Sequence, residues 1–147
     1  MAKRAYIQRL DPTQIDPSVE RVAVDSGSTT SAFTSQEYFI PGTMYQVDRK
    51  TTSITGELIQ PDSMGTALFR LYSPMVTEYA VVKIENCQLM GKYPESVISE
   101  YQLDSVAELG ISKPLSPSSV LDIYRRGKLW DRIETDVRDH LYYTHIA

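Results

Sequence analysis

A single cysteine, Cys87, occurs in 147 residues. It can form no intramolecular disulfide framework and no multi-cysteine zinc site. Long apolar runs are also missing: uninterrupted ones such as Tyr79–Val82 stop at four or five residues. A bilayer span needs about 20, so neither a membrane-crossing helix nor a signal-peptide core is expected. Positive charge is scarce in the body of the chain. Lys3, Arg4 and Arg9 stand in residues 1–10, but residues 11–112 hold six Lys/Arg against fourteen Asp/Glu, and residues 113–147 six against five. Affinity for nucleic acid needs clustered cations, so no specific nucleic-acid binding is expected. No segment repeats with a period of 20–50 residues, which excludes a solenoid. What remains, 41% hydrophobic and 23% charged residues, suits one globular domain of ordinary size.

The punctuation of the chain sets its organisation. Asp11-Pro12 and Asp16-Pro17 keep residues 1–18 out of helix, because each proline disfavours the helical region for the residue before it. An extended N-terminal arm is expected there. Val19 to Val24 alternates as a short strand and runs into Asp25-Ser26-Gly27-Ser28-Thr29-Thr30-Ser31, which reads as a polar loop. Pro41-Gly42 is a turn signal. Tyr45 and Val47, and then Ile54 and Leu58 around Gly56, fall on single faces of strands. Thr66 to Tyr72 fits a strand or a short helix. Ala80, Val82 and Ile84 alternate with Tyr79, Lys83 and Glu85, and a similar pattern runs from Glu95 to Asp104. Period-two alternation is the mark of half-buried antiparallel strands. Residues 19–112 are therefore expected to form an antiparallel sandwich or barrel. In residues 113–147, Ser116-Pro117 resembles a helix start. Leu129, Ile133, Val137 and Leu141 recur every four residues, and Asp122/Arg126 and Glu134/Arg138 are i,i+4 pairs. The fold expected is mainly β with a C-terminal α-helix, followed by a tail, both packing on the β domain.

The sharpest local motif is Val22-Ala23-Val24-Asp25-Ser26-Gly27. It resembles the apolar-apolar-Asp-(Ser/Thr)-Gly motif of the retropepsin-like aspartic proteases. That resemblance implies a dimer in which two Asp25 carboxylates share a proton over a water, with Gly27 letting the backbone approach its twin. The family's hydrophobic-hydrophobic-Gly segment has its nearest counterpart in Glu108-Leu109-Gly110, where glutamate breaks the pattern, and no glycine-rich flap is evident. Asp25-Ser26-Gly27-Ser28-Thr29 is also similar to the first phosphate loop of the actin and sugar-kinase superfamily. The second Asp-x-Gly loop and the Gly-Gly adenosine contact of that superfamily are absent.

Other chemistry-bearing residues have plainer explanations. Cys87 sits in an alternating strand, where a small residue that is partly buried is expected. Asp136, Asp139, His140 and His145 could suggest a metal site, but a solvated helix face accounts for the carboxylates and a helix end for His140. No metal and no cofactor are expected.

Tyrosine is abundant, ten of 147 residues. Tyr142-Tyr143 in the tail, and Tyr6-Ile7 in the arm, are candidate contacts between copies, since tyrosine is enriched at interfaces. Residues 79–89, with their Ile84-Glu85-Asn86 run, and residues 52–58 resemble two strands of bacteriophage tail-tube subunits. That resemblance implies a self-assembling structural protein of a virion (tube, neck or terminator) without enzymatic activity. Its partners would be other copies of itself and neighbouring virion proteins, with no membrane, and its place the virion, assembled in a host cytoplasm. The acidic body would suit a conduit along which DNA slides. The alternative is a dimeric aspartic protease using Asp25.

Overall fold

The computed structural model describes residues 20–48, 50–52, 58–73, 75–114, 120–134 and 142–146. The expected arm, with Tyr6 and Ile7, lies outside them. In chain order the elements are β1 (Glu20–Asp25), β2 (Ala32–Phe33), β3 (Thr51–Thr52), β4 (Leu58–Ile59), β5 (Ser63–Ser73), β6 (Glu78–Leu89), β7 (Ser96–Ser99), α1 (Glu100–Asp104), β8 (Leu109–Ser112), β9 (Val120–Arg125), β10 (Lys128–Glu134) and β11 (Tyr142–Ile146). The protein is mainly β, as the alternation predicts. Six strands close a barrel in the order β1-β11-β5-β6-β2-β7, β8 to β10 form a three-stranded sheet, and β3 pairs with β4.

The alternating segments become strands for the expected reason. In β6, Ala80, Val82 and Ile84 are buried while Tyr79, Lys83 and Glu85 are exposed. Thr66 to Tyr72 is strand, part of β5, with Phe69 and Leu71 inward. Pro41-Gly42 forms its turn: Thr43 N–H donates to Ile40 O at 3.2 Å, and Gly42 takes a φ of +84°. Phe33 lies at the centre of the core, its ring 5.4–5.9 Å from those of Tyr38, Phe39 and Phe69. Burying one such ring contributes about 2–3 kcal/mol. Leu121, Ile123, Trp130 and Ile133 of the second sheet join the same core, and the Ser73 hydroxyl, on the barrel, donates to the Trp130 carbonyl. Barrel and sheet therefore form one packed unit.

The antiparallel order is broken where β1–β7 and β2–β6 pair in parallel. In place of a strand through Tyr45 and Val47, a single bridge joins Tyr45 to Met64. Two further expectations need correction. No C-terminal helix runs through residues 120–134, which form the β9–β10 hairpin; residues 135–141 lie outside the described ones. Residues four apart share a face in a strand as well as in a helix, because four is a multiple of two. Arg126 and Gly127 both have positive φ, 53° and 78°, which gives the two-residue turn that matches the twist of a hairpin. A bulge at Trp130 shifts the ladder between Leu129 and Asp131, so the alternation that would have marked β10 is broken. Asp122 meets Arg132 across the ladder instead of Arg126 along a helix. The second correction concerns Glu95 to Asp104. Only Ser96–Ser99 is strand; Ser99 caps the helix α1, its Oγ accepting from Gln102 N.

Candidate active site at the Asp25 turn

β1 is apolar on both faces and covered on both: Val22, Ala23 and Val24 are all at most 1% exposed. β11 lies along one edge, with Ala23 opposite Tyr143 and Val24 opposite Tyr142. Along the other edge β7 runs parallel, pairing Ala23 with Val97, Val24 with Ile98 and Asp25 with Ser99. β2 then returns on the far side of β7, antiparallel to it at Ala32↔Val97 and parallel to β6 at Phe33↔Leu89. The chain thus leaves β1 on one edge of β7, crosses the end of that strand and comes back along its other edge. The crossing is the Asp25–Ser31 segment.

Asp25 is half-buried at the strand end, and its Oδ1 accepts the Gly27 N–H at 2.8 Å. This is the short-range bond by which aspartate shapes a turn. Ser26 and Gly27 are exposed, and the Ser28 hydroxyl donates to Thr30 O at 2.7 Å. Further along, the segment is pinned by the β7–α1 junction. Ser99 Oγ donates to Ser28 O at 2.7 Å, and Ser99 N–H donates to Ser31 Oγ at 2.8 Å. Ser31 N–H in turn donates to Gln102 Oε1 at 2.6 Å. Beside the turn, Ser26, Glu100, Tyr101, Asp104 and Ile111 line a cleft of about 240 Å³. Tyr101 is 73% exposed.

The other expected residues fall elsewhere. Glu108-Leu109-Gly110 does not lie along β1; Leu109 and Gly110 belong to β8 and pair with β9. The apolar pair followed by a small residue that does lie along β1 is Val97-Ile98-Ser99. Tyr142 and Tyr143 belong to a barrel strand and not to a free tail. Tyr143 is 4% exposed, and the Lys113 ammonium sits 5.5 Å from the centre of the half-buried Tyr142 ring. Cys87 is fully buried in the core, and burial pushes its thiol up to about 12, the Ala67 backbone offsetting this in part. That is the opposite of an activated nucleophile. His145 lies in β11, whereas Asp136, Asp139 and His140 are outside the described residues. Among the described residues no group of three His, Cys, Asp or Glu could hold a metal ion. Comparison of the chain with protein-family models, with curated proteins and with solved structures returned no match.

Ser31, Ser99 and Gln102 were not singled out by the sequence pattern. A signal for two of them was present: Ser99-Glu100-Tyr101-Gln102 is the Ser-x-x-Gln spacing of a helix capping box.

Proposed function

We propose that the chain is an aspartic peptidase of the retropepsin-like kind, active as a symmetric dimer, with Asp25 of each copy supplying one catalytic carboxylate. One observation carries the reading. A strand ends in Asp-Ser-Gly, its carboxylate held by the Gly27 amide, directly beside Val97-Ile98-Ser99 on a parallel strand. The second apolar element implied by the resemblance thus has a counterpart next to Asp25, with serine in place of glycine.

In this reading a second copy supplies the other carboxylate of the pair. Of the acids lining the adjoining cleft, Glu100 pairs with Lys113 at 2.9 Å and Asp104 accepts the Ile111 N–H at 2.7 Å, so both are held by bonds within the chain. The exposed Ser26-Gly27 edge and the Tyr101 ring supply the face on which the two copies meet.

Two carboxylates held close cannot both ionise, so the pair retains one proton. The ionised member takes a proton from the water between them as its oxygen attacks the peptide carbonyl carbon. The protonated member gives its proton to the carbonyl oxygen. As the tetrahedral adduct collapses and its C–N bond breaks, one of its two hydroxyls gives its proton to the carboxylate that had lost one. The other carboxyl gives its proton to the leaving amine, so the pair is left with its single proton.

The test is cleavage of fluorescently labelled casein at acidic pH. Asp25→Asn is expected to abolish cleavage while leaving the melting temperature and a dimeric mass by light scattering in place. Cleavage by the variant would overturn the reading. So would rings, tubes or masses of many subunits from the untagged chain, which would favour a virion subunit instead.

A further inference from the structure

We infer that Ser31, Ser99 and Gln102 are positioning residues that hold the catalytic turn in register with its twin, an inference that rests on the role given to Asp25 above. The turn has no apolar anchor of its own. Ser26, Gly27 and Thr29 are exposed, and its first fully buried side chain is Ser31. Hydrogen bonds must therefore fix its path, and they converge on one junction.

That junction is a capping box opened to admit a third residue. In the ordinary arrangement the serine cap and the glutamine three residues on satisfy each other's amides. Here only half of that exchange is made: Ser99 Oγ accepts the Gln102 N–H at 3.2 Å. The Ser99 amide donates to Ser31 Oγ, and the Gln102 side chain accepts the Ser31 amide. Ser31 occupies the place between cap and glutamine, so the end of the Asp25 turn is built into the start of α1. The same Ser99 hydroxyl donates to Ser28 O, holding the middle of the turn. Gln102 is itself anchored, its Nε2 donating to the Glu85 and Asn86 carbonyls of β6 at 3.5 and 3.4 Å. Asn86 has a positive φ of 58° at the β5–β6 bulge. A rigid path thus runs from that bulge through Gln102 and Ser31 to the Asp25 turn.

Glycine at the position of Ser99 could supply none of the hydroxyl bonds, so the clamp is a device of this chain and not of the motif it resembles. Ser99 and Ser31 are both fully buried, and they act through the turn without facing its exposed edge.

The decisive comparison is Gln102→Leu, which removes the acceptor for the Ser31 amide, against Gln102→Glu, which keeps it. Ser99→Ala serves as a second probe. Casein cleavage is measured per active site, with sites counted by titration against a statine peptide. Gln102→Leu and Ser99→Ala are expected to lower kcat about 10- to 100-fold, the scale of a small misplacement of reacting groups, with KM little changed. Gln102→Glu keeps the acceptor for the Ser31 amide but gives up the Nε2 bonds to the Glu85 and Asn86 carbonyls, so its kcat should fall between those of the parent and Gln102→Leu. A purely structural role would reduce the number of active sites and the melting temperature but leave kcat per site as in the parent. That result, with Asp25→Asn inactive, would overturn the clamp and leave the peptidase reading standing. Activity surviving in Asp25→Asn, or no cleavage by the parent, would remove both.

Discussion

Asp25 and Ser99 are register partners across a parallel ladder, at the point where both strands end. Their pairing brings the turn after β1 against the helix after β7, and leaves Gly27 on the outer, exposed side. A Cβ added at Gly27 would meet only Asp25 Oδ1, at 3.4 Å, an ordinary contact. Gly27→Ala should therefore leave the stability of one copy within about 0.5 kcal/mol, as for surface positions generally. In the proposed dimer, where the Ser26-Gly27 edge meets its twin, it should weaken dimerisation and cleavage. Sedimentation and thermal melts of the same sample separate the two effects.

Gly127 distinguishes hairpin from helix directly. In a helix interior, Gly127→Ala would stabilise by about 1 kcal/mol. At a φ of +78°, alanine is strained instead, and a loss of about 1 kcal/mol is expected. Urea unfolding of the variant gives the sign.

Asp122 is 3% exposed, and Arg132 meets it with Nε at 2.7 Å and Nη2 at 3.0 Å. Those bonds also hold the guanidinium in its charged form, raising it above its ordinary value. Arg132→Met leaves the buried Asp122 carboxylate without its bidentate partner and should lower the denaturation midpoint. Replacing both residues by leucine should recover most of that loss. Chemical denaturation of the single and double variants tests this.

Cys87 gives the protein a stability slope at high pH. Burial pushes the folded thiol from 9.0 up to about 12. Between those values the unfolded chain has lost a proton that the folded chain still holds, so stability falls as pH rises. The group contributes up to about 1.4 kcal/mol per pH unit in that window and nothing well below it. Denaturation midpoints at pH 8 and pH 10 should therefore fall further apart in the parent than in Cys87→Ala.

What could be read from the sequence followed the range of the forces involved. β6 was legible because one face of it is buried, and burial imprints period two on neighbouring residues; the stretch of β5 from Thr66 to Tyr72 was too short to decide between strand and helix. The Asp25 turn was legible because its bonds span two residues. β9 and β10 were not, since a spacing of four fits both periods and the Trp130 bulge erased the alternation that would have decided. The strand beside Asp25 was not legible because pairing between β1 and β7 joins residues some seventy apart, and parallel pairing leaves no turn between them to announce it. Ser31 was invisible for the same reason, its contacts lying on other elements.

Barrel closure by β11 also sets when the Asp25 turn can form. The two neighbours of β1 are β7 and β11, both far downstream, so a ribosome delivers them well after β1 itself. Until residue 96 emerges β1 has no partner, and until residue 146 emerges the barrel stays open. Pairings between distant segments are slow to form, so Asp25 remains an unstructured residue through most of synthesis. The order of the strands thus delays the Asp25 turn until the rest of the barrel is in place.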